Sequence, residues 1–473
     1  MEGKKMAALN ATLLPIVDKI NAYLGDYVLI FLLIGAGLFF TIKTKFVQIR
    51  CFGEGMHNVF GNLSLKGGKQ ESGMSSFQAL ATAIAAQVGT GNIVGSAGAI
   101  LTGGPGAIFW MWVIAFFGMA TIYAEAVLAQ ATRVKTEAGE ILGGPVYYIT
   151  HAFKGGLGKF LAGFFAIAIT LALGFFGCMV QSNSIGSSMN TAFGIPGWVA
   201  GVALVIICGF IFLGGTQRLA SVTEKVVPIM AAAFLLGGLI VIIARIKYIP
   251  ETFMLIFKGA FAPQAIIGGA TGAAIKAAIS QGAKRGLFSN EAGMGSTPHS
   301  HALANVKNPL EQGTVAIAGV FIDTFVVLTM NALVIISCLY AGNGPLAPAN
   351  GVTADLAAAA GLVNTNLAQV SFGMVFGENL GKMFVAVALF FFAFSTILGW
   401  SMFGKINVEY LFGAKAVRPY QVICLIFVFA GTLTSSDLVW ALSDLFNQIM
   451  VLPNVIGLIG CAALVTSLTK FKK

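Results

Sequence analysis

The sequence predicts an all-α polytopic membrane protein of about eleven transmembrane helices, and three observations carry that reading. Of 473 residues, 57% are apolar and 10% charged, with a mean hydropathy of +0.87; soluble domains carry about a quarter charged residues. Apolar runs of roughly 18 residues or more, the length that a bilayer demands of a helix, recur from end to end. Two of those runs, one in each half of the chain, are interrupted by glycines and small polar residues.

Taken in order, the runs fall near 15–42, 73–101, 105–132, 157–190, 197–215, 221–245, 268–303, 311–341, 380–404, 417–435 and 438–469. Residues 1–72 then form one extra helix with a loop, and 73–245 and 246–473 form two halves of five spans each. The first apolar run, Tyr27–Phe40, has no small-residue cleavage pattern and is not read as a signal peptide. Basic residues gather in alternate loops, at Lys43, Lys45 and Arg50, at Arg133 and Lys135, and at Lys405, Lys415 and Arg418. That asymmetry predicts an N-terminus outside the cell membrane and a C-terminus in the cytoplasm. The net charge of +10 therefore belongs to short loops and gives no basic face for nucleic acid. Six cysteines, at 51, 178, 208, 338, 424 and 461, have no CxxC spacing and read as buried thiols. Two connectors carry structure of their own: 354–369 favours a short external helix, and Gly143-Gly144-Pro145 turns the chain before Tyr147 and Tyr148, which suit the membrane interface.

The interruptions carry the chemistry. Between Ala81 and Ala99 there is no charge, yet Gly89, Gly91 and Gly95 stand beside Gln87, Thr90 and Asn92. Glycine costs a helix about 1 kcal/mol relative to alanine, and non-helical backbone at membrane depth survives only where it is buried or lines a cavity. In the seventh run, Ser289–Pro298 combines two glycines, a proline and a carboxylate. Broken spans two and seven are five apart, as expected of inverted repeats enclosing a midplane site. The glycine spacing GxGxxxG is not that of a dinucleotide loop. Gly91 and Gly95 could also serve helix packing, but Gln87, Thr90 and Asn92 favour binding.

Ser395 and Thr396 lie deep in the ninth run. Such hydroxyls either bond back to their own helix or complete an oxygen cage for a monovalent cation. Trp400, on the same face as Thr396, either closes a small pocket or anchors at the interface. Glu125, Glu291 and Asp323 are intramembrane acids and so candidates by default. Glu125 is expected to pair with a basic loop residue, and Asp323 to be ionised beside a cation or neutral and hydrogen-bonded. His299 and His301 are two apart and do not share a helix face, so no metal pair is expected. No nucleophile–base constellation points to an enzyme.

Residues 103–118, GGPGAIFWMWVIAFFG, resemble the signature stretch of the alanine or glycine:cation symporter family, and 285–296, RGLFSNEAGMGS, are similarly typical. The likeness covers nearly the whole membrane domain and is close to the sodium:alanine symporter members. It implies the leucine-transporter fold, two inverted five-helix repeats preceded here by one helix. It implies sodium-coupled import of alanine or glycine by alternating access, with sodium as coupling ion and no other cofactor. By the same resemblance, carbonyls of Ala85, Val88 and Phe392 and hydroxyls of Ser395 and Thr396 would hold sodium. The unwound stretch through Gly89, Thr90 and Gly91 would hold the substrate carboxylate, with Gln87, Thr396 and Trp400 bordering the substrate. The break in span seven falls near 280–282 counted from the outer loop, or near Ala292 counted back from span eight. The second placement is preferred and gives Gly293, Met294 and Gly295 to the pocket; Phe176 and Gln181 are nominated by depth. A proton-coupled carrier using Glu291 or Asp323, and a passive channel, are the alternatives.

Overall fold

With no water in the hydrocarbon core, each backbone N–H and C=O must find its partner within the segment, so long apolar runs fold as helices. The computed structural model describes residues 2–61, 73–137, 139–261, 271–347, 357, 359–434 and 436–469. Among them, eight helices are long and apolar enough to cross a membrane: α1 (Thr12–Lys43), α4 (Gly106–Thr132), α5 (Gly155–Phe193), α7 (Gly215–Ala244), α11 (Pro309–Tyr340), α13 (Glu378–Phe412), α14 (Ala414–Gly431) and α15 (Asp437–Gly460). A ninth is the pair α2 (Ser76–Gln87) and α3 (Gly91–Gly103), bent by 41° at its break. Shorter or interrupted helices complete the bundle: α6 (Gly197–Leu213), α8 (Ile249–Phe261), α9 (Thr271–Asn290), α10 (Pro298–Leu303) and α12 (Leu367–Phe376).

Helices α4, α5 and α13 form the centre, each with 67% of its most apolar stretch buried, against 33% for α7 and 28% for α14 at the periphery. Helix α13 packs on α5, α2 and α7, while α4 packs on α9, α11 and α1. The broken pair is therefore held between these two groups. Large apolar side chains such as Phe31, Ile206, Leu213 and Leu236 face outward. An apolar belt of that extent is stable only against lipid.

The start of α2 is fixed by a reciprocal cap. The Ser75 hydroxyl accepts from the Gln78 N–H at 3.1 Å, and the Gln78 side-chain oxygen accepts from the Ser75 N–H at 3.0 Å. One residue earlier, Met74 N–H donates to the Leu303 carbonyl and Asn305 N–H donates to the Met74 carbonyl, both at 2.8 Å. These bonds tie the beginning of α2 to the end of α10, so the two interrupted spans are joined at one end of the bundle.

Three local expectations change. Tyr148 is not interfacial: it is fully buried on the helix Pro145–Ala152 and donates to the Asn454 side-chain oxygen. Before that helix, Val134–Lys135 and Ile141–Leu142 pair as a short antiparallel hairpin, too small to leave a period-two signal. Helix α8 lies between α7 and α9 where no span was expected; thirteen residues are too few to cross. Of the external stretch 354–369, residues 354–356 and 358 lie outside the described residues; 357 and 359 are helical, and a second helix begins at Leu367. All six cysteines are free thiols, five of them buried.

Candidate transport site

The chain leaves the α helix at Val88, whose φ of −80° and ψ of 86° turn its carbonyl away from the helical ladder. Two N–H groups freed by the break are met by side chains. Gly89 N–H donates to the Asn92 side-chain oxygen at 3.0 Å, and Thr90 N–H donates to Gln181 Oε1, on α5, at 3.1 Å. Helix α3 then begins with a π turn, Gly91–Gly95, a distortion frequent at functional sites. On α11, Asn331 donates to the carbonyls of Asn92 and Ile93 at 3.0 and 3.1 Å. The Asn92 amide donates to Asp323 Oδ1 at 2.6 Å. Gly89 is a glycine for a steric reason: a Cβ there would lie 2.3 Å from Thr396 Oγ1 and 3.1 Å from Gln181 Oε1.

The second break occupies 291–297, between α9 and α10. Glu291, Gly293 and Gly295 all have positive φ, of 58°, 92° and 80°; such a conformation is rare for a glutamate. Here the freed N–H groups converge on a carboxylate. Gly293 and Gly295 donate to Glu125 at 3.1 and 3.0 Å, and Asn454 donates to Glu125 at 2.7 Å and to the Gly293 carbonyl at 2.8 Å. Glu125 thus braces the break from α4 instead of pairing with a loop lysine or arginine. Glu291 accepts from the Trp400 indole N–H and from the Ser296 hydroxyl at 2.5 Å. Asp323 also accepts from Ser289 at 3.0 Å and Thr324 at 2.8 Å. His299 and His301 contact different partners, Asn407 and Gln312.

Helix α13 supplies the third wall. Thr396 donates across the break to the Ala85 carbonyl at 2.8 Å and back to the Phe392 carbonyl at 3.0 Å. Ser395 donates to the same Phe392 carbonyl at 2.9 Å. Around this point three fully enclosed polar atoms have no partner: Gln87 Oε1, Thr90 Oγ1 and Gln181 Nε2. Their side chains are otherwise fixed, Gln87 through its amide to the Asn290 carbonyl at 2.7 Å and Gln181 through Thr90. Each such orphan costs about 1–3 kcal/mol. An amide donor, an amide acceptor and a hydroxyl, which can serve as either, are thus left open along the first break.

The structure therefore brings together Ala85, Gln87, Val88, Gly89, Thr90, Gln181, Phe392, Ser395 and Thr396. Gly91 lies at the edge of this group, where a Cβ would stand 3.0 Å from Ser289 Cα. Trp400 is fully buried, its ring edge-on to Phe288 at 5.5 Å, which removes the interfacial reading. Phe176 stacks on Phe446 at 5.3 Å. Gly293 and Gly295 instead adjoin Leu33, Thr121, Pro145 and Asn454, and Met294 is buried in the same loop; these three are not brought to the orphan atoms. Sequence reasoning missed Asn331 and Asn454. Each is an asparagine within an apolar helix, and the cost of burying an unpaired amide was the available signal.

Two interrupted helices, their breaks braced by side chains from neighbouring spans around buried polar atoms, define a multi-pass membrane transporter rather than an enzyme. The chain belongs to the sodium:alanine symporter family, whose profile matches residues 10–473. Sodium/alanine symporter AgcS of Methanococcus maripaludis is 40% identical over 460 residues, 96% of each chain. The putative sodium/proton-dependent alanine carrier protein YrbD of Bacillus subtilis is 41% identical over 456 residues, 94% of this chain and 89% of its own. An uncharacterised transporter of Haemophilus influenzae is 39% identical over 461 residues, 97% of this chain and 96% of its own. Among solved structures, the Eremococcus coleocola manganese transporter superposes with a TM-score of 0.55 over 87% of this chain and 90% of its own, at 13% identity. That likeness concerns the fold alone.

Proposed function

We propose that this protein imports alanine, and glycine as the smaller substrate, by sodium symport across the cell membrane. The observation that carries the proposal is the meeting of Ala85, Phe392, Ser395 and Thr396 oxygens beside the three unpartnered atoms of Gln87, Thr90 and Gln181. The first group offers oxygen ligands of the kind a hard monovalent cation takes, with the Val88 carbonyl turned out of its helix to complete it. The second group, read as a cradle for the substrate, offers the Gln181 amide N–H to a carboxylate, the Gln87 side-chain oxygen to an ammonium and the Thr90 hydroxyl to either. Sodium bound first adds positive charge beside the carboxylate, so that each ligand raises affinity for the other. The names of the relatives, sodium/alanine symporter and sodium/proton-dependent alanine carrier, support the same substrate and cation.

In this reading eleven spans form an extra helix followed by two inverted repeats of five, and the site is exposed alternately to either side. The N-terminus lies outside and the C-terminus in the cytoplasm. Trp400 and Phe288 cap the cradle and limit the side chain it accepts. Sodium is the coupling ion, and no further cofactor takes part. Uptake of labelled alanine into proteoliposomes tests the proposal. An inward sodium gradient should drive accumulation above equilibrium, and choline in place of sodium should abolish it. Accumulation driven by a pH gradient without sodium would move coupling to the buried carboxylates. Equilibration without accumulation would make the protein a facilitator.

A further inference from the structure

At the end of the bundle opposite the Met74–Leu303 tie, the beginnings of α1 and α15, the end of α3 and part of α9 surround a cavity of ≈ 690 Å³. Its lining carries both signs of charge: Asp18, Asp437 and Asp444 on one hand, Arg285 and Lys284 on the other, with Lys284 already paired to Asp26 at 2.9 Å. Arg285 bonds Asp444 at 2.8 Å and lies 4.8 Å over the Trp440 ring, which leaves most of its five N–H donors uncommitted. Two further lining residues hold polar atoms without partners. Asn21, 7% exposed, gives its amide N–H to the Ala441 carbonyl at 2.8 Å and leaves Oδ1 unpaired; Trp440, 6% exposed, leaves its indole N–H unpaired. Below Trp440 lies Phe288 at 5.0 Å, and below that Trp400 at 5.5 Å from Phe288, so a column of three aromatic rings runs inward from the cavity.

We propose that this cavity is a second, outer binding site for a zwitterionic α-amino acid on its way to the cradle. The Arg285 guanidinium and the Trp440 N–H hold the carboxylate, and Asp18, Asp437 and Asn21 Oδ1 hold the ammonium. A simple cation would leave the Trp440 donor unmet, and a simple anion would face three carboxylates. A molecule bearing both charges satisfies every group. The inference rests on the reading of the protein as an amino-acid carrier and deepens it by adding a site.

The test is equilibrium binding of labelled alanine, in sodium, to the full-length protein in lipid nanodiscs. Two alanines per chain are expected, one tight and one weak. Asn21→Leu and Asp437→Asn should each weaken the second about tenfold, the worth of one charge-assisted contact, and leave the tight component in place, which also reports that the variants fold. Gly89→Val should remove the tight component and keep the weak one. A single component in the unaltered protein would overturn the proposal. So would a weak component indifferent to both cavity variants, or loss of both components together in each of them. Persistence of both components in Gly89→Val would instead refute the cradle assignment and leave the outer site standing, so the two failures are distinct.

Discussion

Ser395→Ala separates a cation ligand from an ordinary helix hydroxyl. The Ser395 side chain donates to the Phe392 carbonyl at 2.9 Å, a back-bond found in many helices with no functional role. If that bond is its whole contribution, alanine removes about 0.5–1.5 kcal/mol of stability at most and leaves ion affinity untouched. If the hydroxyl oxygen also faces sodium, the loss is of the size of a hydrogen bond to a charged group, about 1.5–3 kcal/mol, or about 10- to 150-fold in sodium affinity. The assay is initial alanine uptake in proteoliposomes against external sodium. The half-saturating sodium concentration should rise by that factor, while the maximal rate at saturating sodium is kept. By linkage, apparent alanine affinity should fall at limiting sodium and recover as sodium is raised. An unchanged half-saturating sodium concentration, with uptake intact, would refute the reasoning and return Ser395 to a packing role.

Three other outcomes follow from the geometry. Gly89→Ala places a methyl 2.3 Å from Thr396 Oγ1, so alanine uptake should be lost while the protein still reaches the membrane; retained uptake would mean that the break does not pack as described. Glu125→Gln keeps one carbonyl oxygen but sets an NH₂ against an N–H of the Gly293–Gly295 turn, orphaning a buried donor at about 1–3 kcal/mol; a lower melting temperature in detergent is expected, and an unchanged one would show that Glu125 does not brace the turn. Replacing sodium by choline should also lower the melting temperature, since an ion present at a hundred times its dissociation constant stabilises by about 2.7 kcal/mol; equal melting in the two salts would count against a native-state sodium site.

Much of this arrangement was legible in the sequence, because each signal was local. Length and hydropathy located the eight helices and the bent pair long enough to cross a membrane among the described residues, short of the eleven spans expected, and glycines beside small polar residues marked the breaks. Placing the second break near Ala292 succeeded because glycines and polar groups there outnumber those near residue 281. What stayed hidden was pairing across long separations. Nothing near Glu125 reveals that its partners are Gly293, Gly295 and Asn454, and the nearby basic loop offered a plausible wrong answer. Gly293 and Gly295 were assigned to the pocket because they lie at the break, whereas their N–H groups point to Glu125. Phe176 and Gln181 were chosen by depth; of these, Gln181 contacts the first break directly.

The three buried acids bear on coupling. Each is already supplied with donors from uncharged groups: Glu125 by two glycine N–H groups and Asn454, Asp323 by Asn92, Ser289 and Thr324, Glu291 by Trp400 and Ser296. Two of them, Glu125 and Glu291, tie the break of one span to a helix of another, α4 or α13, and Asp323 joins both breaks through Asn92 and Ser289. A carboxylate used this way cannot give up its partners to a passing ion without releasing the backbone it braces. The oxygens around Ala85 and Thr396 hold less: Thr396 reaches from α13 to the Ala85 carbonyl of α2, while its other bond and the Ser395 bond go to the Phe392 carbonyl of their own helix. Transient exchange of a hydroxyl's hydrogen bond for a sodium contact is cheap there and costly at the acids. That difference supports the proposed neutral-oxygen cage as the coupling site and leaves the carboxylates to hold the two breaks in register.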